Sequence, residues 1–262
     1  MNPMLISGLE RPGPIAVSDG KLFVVDKDDP LTSHIGLYTT SGTTVNPELI
    51  PGLGQVLGFA VSGDFLYVSG VSADTFTNAV SKYTISGKLV NRFLITGGSA
   101  GIAISGDQLF VTFPSFDHSR VGEYTTTGQV VNRNLITGNG FDLGAHIAVS
   151  GEKVFLSDAL GGPVAEYTTS GALVNGGFIN TFSAGDLVTS GDRLFVDNLS
   201  KNTISEYTTS GKVVNRALIS PSGAIAVVPG SEKPVPDVGS TCLLLLLGLT
   251  ATFSVTHSIR RA

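Results

Sequence analysis

Tryptophan is absent from the 262 residues, and cysteine occurs once, as Cys242. The first absence excludes the Trp-Asp phrase of WD-type repeats. The second excludes any disulfide within the chain and leaves the compartment open. Charged side chains make up only 14% of the chain, few for a cytosolic enzyme, while Gly, Ser and Thr are plentiful. Such a composition fits the surface of an exported, turn-rich β protein. The net charge is −5, and Lys and Arg are scattered rather than grouped. Binding to phosphate needs grouped cations, so nucleic acid is not an expected partner. No 3.6-residue periodicity runs through the repeats, and no Asp-x-Asp-x-Asp-Gly calcium loop occurs.

What the chain does contain is one phrase written several times, clearest from Leu187 to Ile219. Its opening apolar residue recurs at Ile15, Phe59, Ile102, Ile147, Leu187 and Ile225, at intervals of 44, 43, 45, 40 and 38 residues. Its tyrosine recurs at Tyr38, Tyr83, Tyr124, Tyr167 and Tyr207. Each unit holds four short β-branched or aromatic runs separated by Gly, Ser, Asn and Asp, the composition of strands joined by tight turns. Four antiparallel strands at a period of roughly 40 to 45 residues predict a propeller blade. The expected fold is therefore all-β: a β-propeller of four-stranded blades over 1–230, with five complete repeats and a partial sixth.

The partial position comes from counting. The last inner-strand copy, Ile225 to Val228, has no second or third strand after it, and the opening MNPMLISGL aligns with NPELIPGL at Asn46–Leu53. A ring that closes through both ends then holds only IAVV and LIS in its sixth blade, which favours a truncated six-bladed ancestor over a five-bladed ring. The opening residues also lack the basic and apolar regions of a signal peptide. Variable connections lie between strands two and three and between blades, on one face of a propeller, and binding is expected there.

The five tyrosines are expected to pack between blades. Asn46, Asn91, Asn132, Asn175 and Asn215 are expected to satisfy backbone groups of turns or edges. The residues just before the inner strands are Pro14, Gly58, Gly101, His146, Asp186 and Ala224. Only His146 and Asp186 are polar; they fall on consecutive blades at the channel mouth, where they can share a proton or a ligand. Two ligands are too few for a metal without help from loops, so neither a metal nor another cofactor is expected. Asp28, Asp29 and His34 in one loop, and Asp117 with His118 in another, read as solvated turn formers.

After Gly230 the repeat stops. Residues 231–240 read as a linker and motif, and 241–262 as a single apolar helix with a basic end. Thr241 to Thr256 are sixteen uncharged residues, enough for roughly 24 Å of helix, and continuing to Ile259 makes it long enough to span a bilayer. Arg260 and Arg261 at its end are expected on the cytoplasmic side.

Two resemblances follow from these residues. The repeats resemble the NHL and SMP-30-like propellers, whose blades run apolar strand, Gly-Asp turn, then a second strand often closed by Asp. The tail resembles C-terminal sorting signals of the PEP-CTERM type in their VPDSG variant: Val235, Pro236, Asp237, Gly239 and Ser240, with Val238 where the variant carries Ser, then the apolar helix and Arg260-Arg261. The tail resemblance implies export, inner-membrane anchoring and recognition by an exosortase, a membrane protease or transpeptidase. The expected function is a non-catalytic binding or structural module at the cell envelope, with an unnamed protein, glycan or small-molecule ligand. The alternative is an SMP-30-like or streptogramin-lyase-like hydrolase or lyase acting on the variable-loop face.

Overall fold

The computed structural model describes residues 5–97, 100–115, 119–138, 146–157, 162–181, 183–220 and 224–228, and the backbone of 243–247. The phrase that follows each tyrosine is a turn held by its own side chains. The threonine after the tyrosine accepts the N–H four residues on: Thr39 from Thr43 and Thr125 from Gln129 at 3.0 Å, Thr84 from Lys88 at 3.1 Å, Thr168 from Ala172 and Thr208 from Lys212 at 3.0 Å. The glycine of the turn sits at φ between +87° and +91° in all five copies, left-handed space in which a Cβ is penalised.

Between these turns the runs pair antiparallel into five four-stranded sheets, each in sequence order. Blade 1 is β1 (Pro12–Ser18), β2 (Lys21–Lys27), β3 (Ser33–Thr39) and β4 (Thr44–Leu53). Blade 2 is β5 (Val56–Ser62), β6 (Phe65–Val71), β7 (Asn78–Thr84) and β8 (Leu89–Thr96). Blade 3 is β9 (Ile102–Ser105), β10 (Gln108–Phe113), β11 (Ser119–Thr125) and β12 (Val130–Gly138). Blade 4 is β13 (His146–Ser150), β14 (Lys153–Ser157), β15 (Val164–Thr168) and β16 (Leu173–Ile179). Blade 5 is β17 (Ala184–Ser190), β18 (Arg193–Asn198), β19 (Thr203–Thr208) and β20 (Val213–Ile219). The expected five blades are present, and the protein is an all-β propeller.

Each outer strand departs from regular pairing near its asparagine. Register shifts bracket Asn132, Asn175 and Asn215, and the side chains of Asn46, Asn91, Asn132, Asn175 and Asn215 each accept the N–H two residues on at 3.0–3.1 Å. The bulge leaves a donor outside the ladder, and the asparagine satisfies it.

The second strands carry no alternation, because neighbouring blades cover both of their faces. Leu22, Phe23, Val24, Leu109, Phe110 and Val111 are all fully buried. The apolar clusters lie across blade boundaries. One joins Phe23, Ile35 and Ile50 of blade 1 to Leu66, Val68 and Tyr83 of blade 2; another joins Phe155 and Ile179 of blade 4 to Leu194 and Tyr207 of blade 5. Tyr38, Tyr83, Tyr124, Tyr167 and Tyr207 all pack in such seams, as expected. Polar contacts cross the same seams: Tyr67 Oη and Lys82 Nζ both donate to the Thr126 carbonyl, at 3.3 and 3.0 Å, and Lys153 Nζ donates to that of Thr209 at 2.7 Å.

The strand β21 (Ala224–Val228) lies between β17 and β1. Ile225 and Val227 face Ile204 and Ile219 of blade 5, and Ala226 shares a cluster with Ile6, Ile15 and Tyr38. β21 pairs with β22 (Leu243–Leu247). These five residues are the described part of the stretch 241–262, expected as a helix; the remainder of that stretch lies outside the described residues. So does the expected linker and motif at 231–240. No helix among the described residues is long and apolar enough to cross a membrane.

Candidate functional site at the channel mouth

The inner strands β1, β5, β9, β13, β17 and β21 surround a central cavity of about 440 Å³. Pro14, Gly58, Gly101, His146, Asp186 and Ala224, the six residues equivalent by sequence, all line it. Most of the remaining wall is aliphatic. The ring is apolar because four of its six equivalent positions carry no polar side chain, and its polarity is concentrated where blades 4 and 5 meet.

His146 is the first residue of β13, pairing with Ser157. Asp186 sits in a β-bulge: the β17 register shifts between Ala184 and Leu187, so Gly185 and Asp186 stand outside the ladder. A bulge re-aims a side chain, and here it turns the carboxylate toward both neighbouring blades. Oδ1 accepts the Leu187 N–H at 3.0 Å, and Oδ2 accepts the Ile225 N–H of β21 at 3.2 Å. His146 Nδ1 lies 3.7 Å from Oδ1, with the two side chains 36% and 32% exposed. The pair proposed from sequence is therefore brought together, but Asp186 also ties β17 to β21.

Sequence reasoning did not single out Asp197. It ends the apolar run of β18, lines the same cavity and is only 4% exposed. The signal was present: its counterparts Ser69, Thr112 and Ser157, and Asp26 one position further along in blade 1, are buried polar residues at the ends of otherwise apolar second strands. These residues fasten the connections leading into inner strands. Asp26 accepts the Glu10 and Arg11 N–H groups at 2.9 and 2.7 Å, and Ser157 Oγ donates to the Gly185 carbonyl at 2.9 Å.

Burial disfavours the His146 imidazolium, but the adjacent Asp186 carboxylate and then the charge of Asp197 outweigh it, leaving the pKa above its ordinary 6.5. A raised folded-state pKa stabilises the protein fully below 6.5, and that contribution is lost as pH rises through the folded value. An imidazole NMR titration should place the His146 midpoint above 6.5. In Asp186→Asn the opposing burial remains and the midpoint should fall; an unchanged midpoint would mean that Asp186 does not set it.

Chemically, the mouth offers an imidazole with a carboxylate whose two oxygens already accept backbone donors, and a second, buried carboxylate. No group of three or more His, Cys, Asp or Glu able to hold a metal occurs among the described residues. The other candidates are loop features. Asp28 pairs with His34 Nδ1 at 2.6 Å. Asp29 accepts the Leu31 and Thr32 N–H groups and the Thr32 hydroxyl, the turn role expected of it, and these bonds hold its carboxyl below the usual range. Asp117 and His118 lie outside the described residues, as do Val235, Pro236, Asp237, Gly239, Ser240, Arg260 and Arg261.

No protein-family profile and no curated protein matches the chain. Solved structures do. A chain of a nidogen/laminin complex superposes with a TM-score of 0.64 at 15% identity, covering 79% of this chain and 80% of that one. A putative oxidoreductase (glucose dehydrogenase) from Thermus thermophilus gives 0.60 at 16%, covering 87% and 90%. A streptogramin B lyase gives 0.58 at 16%, covering 88% and 75%. At such identities the likeness establishes the propeller fold alone.

Proposed function

We propose that this chain is a non-catalytic binding module of the cell envelope that holds a small ligand in the channel mouth, and that its tail is recognised by an exosortase-type sorting enzyme. The observation that carries the binding role is the 440 Å³ cavity, within the range of small-molecule sites, with apolar walls and one imidazole–carboxylate pair at its rim. Such a wall accepts a largely apolar body, and His146 supplies the orienting hydrogen bond. Asp186 accepts one backbone N–H on each oxygen, and these contacts hold its carboxylate in place at the rim. A hydrolase or lyase on the same face is the second reading, favoured by the likeness to a lyase fold; among the described residues no three His, Cys, Asp or Glu side chains cluster closely enough to hold a metal for it.

The sorting role rests on the order of short motif, apolar run and paired arginines at the end of the sequence. Intact mass of the native protein from separated envelope and cytosol tests it. The expected result is an envelope species shortened after the Val235–Gly239 motif. A full-length chain confined to the cytosol would reject it. Binding is read separately, as a ligand-induced rise in melting temperature that His146→Ala removes while the cytosol–envelope distribution stays unchanged.

A further inference from the structure

Among the described residues the ring has six inner strands but only five second strands from the repeats, which leaves one place beside β21. That place has strict requirements. Second strands are covered on both faces, so they need an unbroken apolar run, and their register is the same in every blade. Ile15, Ala16 and Val17 pair with Val24, Phe23 and Leu22. Leu187, Val188 and Thr189 pair with Val196, Phe195 and Leu194. In the sixth place Ile225, Ala226 and Val227 pair with Leu246, Leu245 and Leu244. Residue for residue, the tail strand takes the register that Val-Phe-Leu takes elsewhere.

The far side of the same place is also marked. An ideal Cβ on Gly87 would lie 2.4 Å from the Leu49 carbonyl oxygen, and one on Gly171 would lie 2.1 Å from that of Leu135. The outer strands of blades 1, 2 and 3 thus rest a Leu carbonyl on the next blade's turn, while that of blade 4 places the Phe178 ring there. Leu5 does this to Gly42, at 2.0 Å. Ile6 then meets Tyr38 as Ile50 meets Tyr83 and Ile95 meets Tyr124. An inner strand and an outer contact therefore bracket a seat shaped for an apolar strand.

We propose that this seat is a docking place for the protein's own tail: Leu243–Leu247 act as the second strand of the sixth position, and the seated tail and the membrane-inserted tail exclude each other. The inference rests on the reading of 241–259 as a membrane segment. These five residues fall near the N-terminal end of that run, and a spanning helix satisfies its backbone internally. It cannot do so while the same backbone groups pair with β21. Seating covers apolar residues in water; a membrane releases them, and with them the segment a sorting enzyme needs. Free β21 would present an edge open to foreign strands, and the tail is the strand tethered closest to it.

The full-length chain with Cys242→Ser, Ala226→Cys and Leu245→Cys tests this, since directly opposed residues in an antiparallel pair lie within disulfide reach. Under mild copper–phenanthroline oxidation this pair should cross-link efficiently, and the control pair Ala226→Cys with Ser254→Cys poorly. With phosphatidylcholine–phosphatidylglycerol vesicles, the reduced protein should float and the oxidised protein remain behind, a difference on the order of tenfold. Equal cross-linking of both pairs in protein whose circular dichroism is native would overturn the seat. Equal flotation of oxidised and reduced protein would overturn the exclusion. Selective cross-linking with no flotation of either form would uphold the seat and overturn the membrane reading on which the exclusion rests.

Discussion

Phe155→Ala is expected to destabilise the protein by about 3–5 kcal/mol, the range for emptying an aromatic site in a packed core. Phe155 is completely buried. It lies on β14, opposite Ala148 and Glu166, and its ring reaches out of blade 4 into the seam with blade 5. There it packs with Val164, Ile179, Leu187, Leu194 and Tyr207, with the Phe178 ring centroid 5.2 Å away. The seam is built by two rigid sheets, so little of the hole can collapse. Phe155→Leu keeps most of the contacts and should cost well under half as much. Urea midpoints of the two variants, compared at unchanged slope, measure the difference. A Phe155→Ala midpoint near that of the parent would mean that the seams contribute little to stability.

Two glycines of one blade give the second prediction. Gly151 and Gly171 both have positive φ, +57° and +87°. A Cβ on Gly151 meets nothing within 4 Å, whereas one on Gly171 would stand 2.1 Å from the Leu135 carbonyl oxygen of blade 3. Gly151→Ala should therefore cost only the left-handed backbone penalty, about 1–2 kcal/mol. Gly171→Ala adds a clash that only a shift between blades relieves, and about 3 kcal/mol or more in total is expected. Equal melting temperatures for the two variants would show that the turns do not pack against the preceding outer strands as described.

The repeat made much of this visible in advance. The tyrosine phrase located every third-to-fourth strand turn; the hydrogen bond by which its threonine accepts the N–H four residues on came only from the structure. The residue before each inner strand was enough to find the ring and to place His146 beside Asp186. Three things were hidden. The bulge at Gly185-Asp186, which turns the carboxylate onto the Ile225 N–H, has no local mark because glycine precedes the inner strand in other blades too. Asp197 was passed over because a polar residue closing a strand reads as a turn former. The pairing of Leu243–Leu247 with β21 was hidden because a uniform leucine run has no period to mark a partner strand.

Six apolar clusters are described, and each of them draws on two neighbouring ring positions. No blade keeps a core to itself. A departing blade would strip two seams at once, so opening one sheet alone is more costly than its own contacts imply. Slow amide exchange is then a property of neighbours: the fully buried second strands should share a common protection factor around the ring, and loosening one seam should be felt first in the two sheets that flank it.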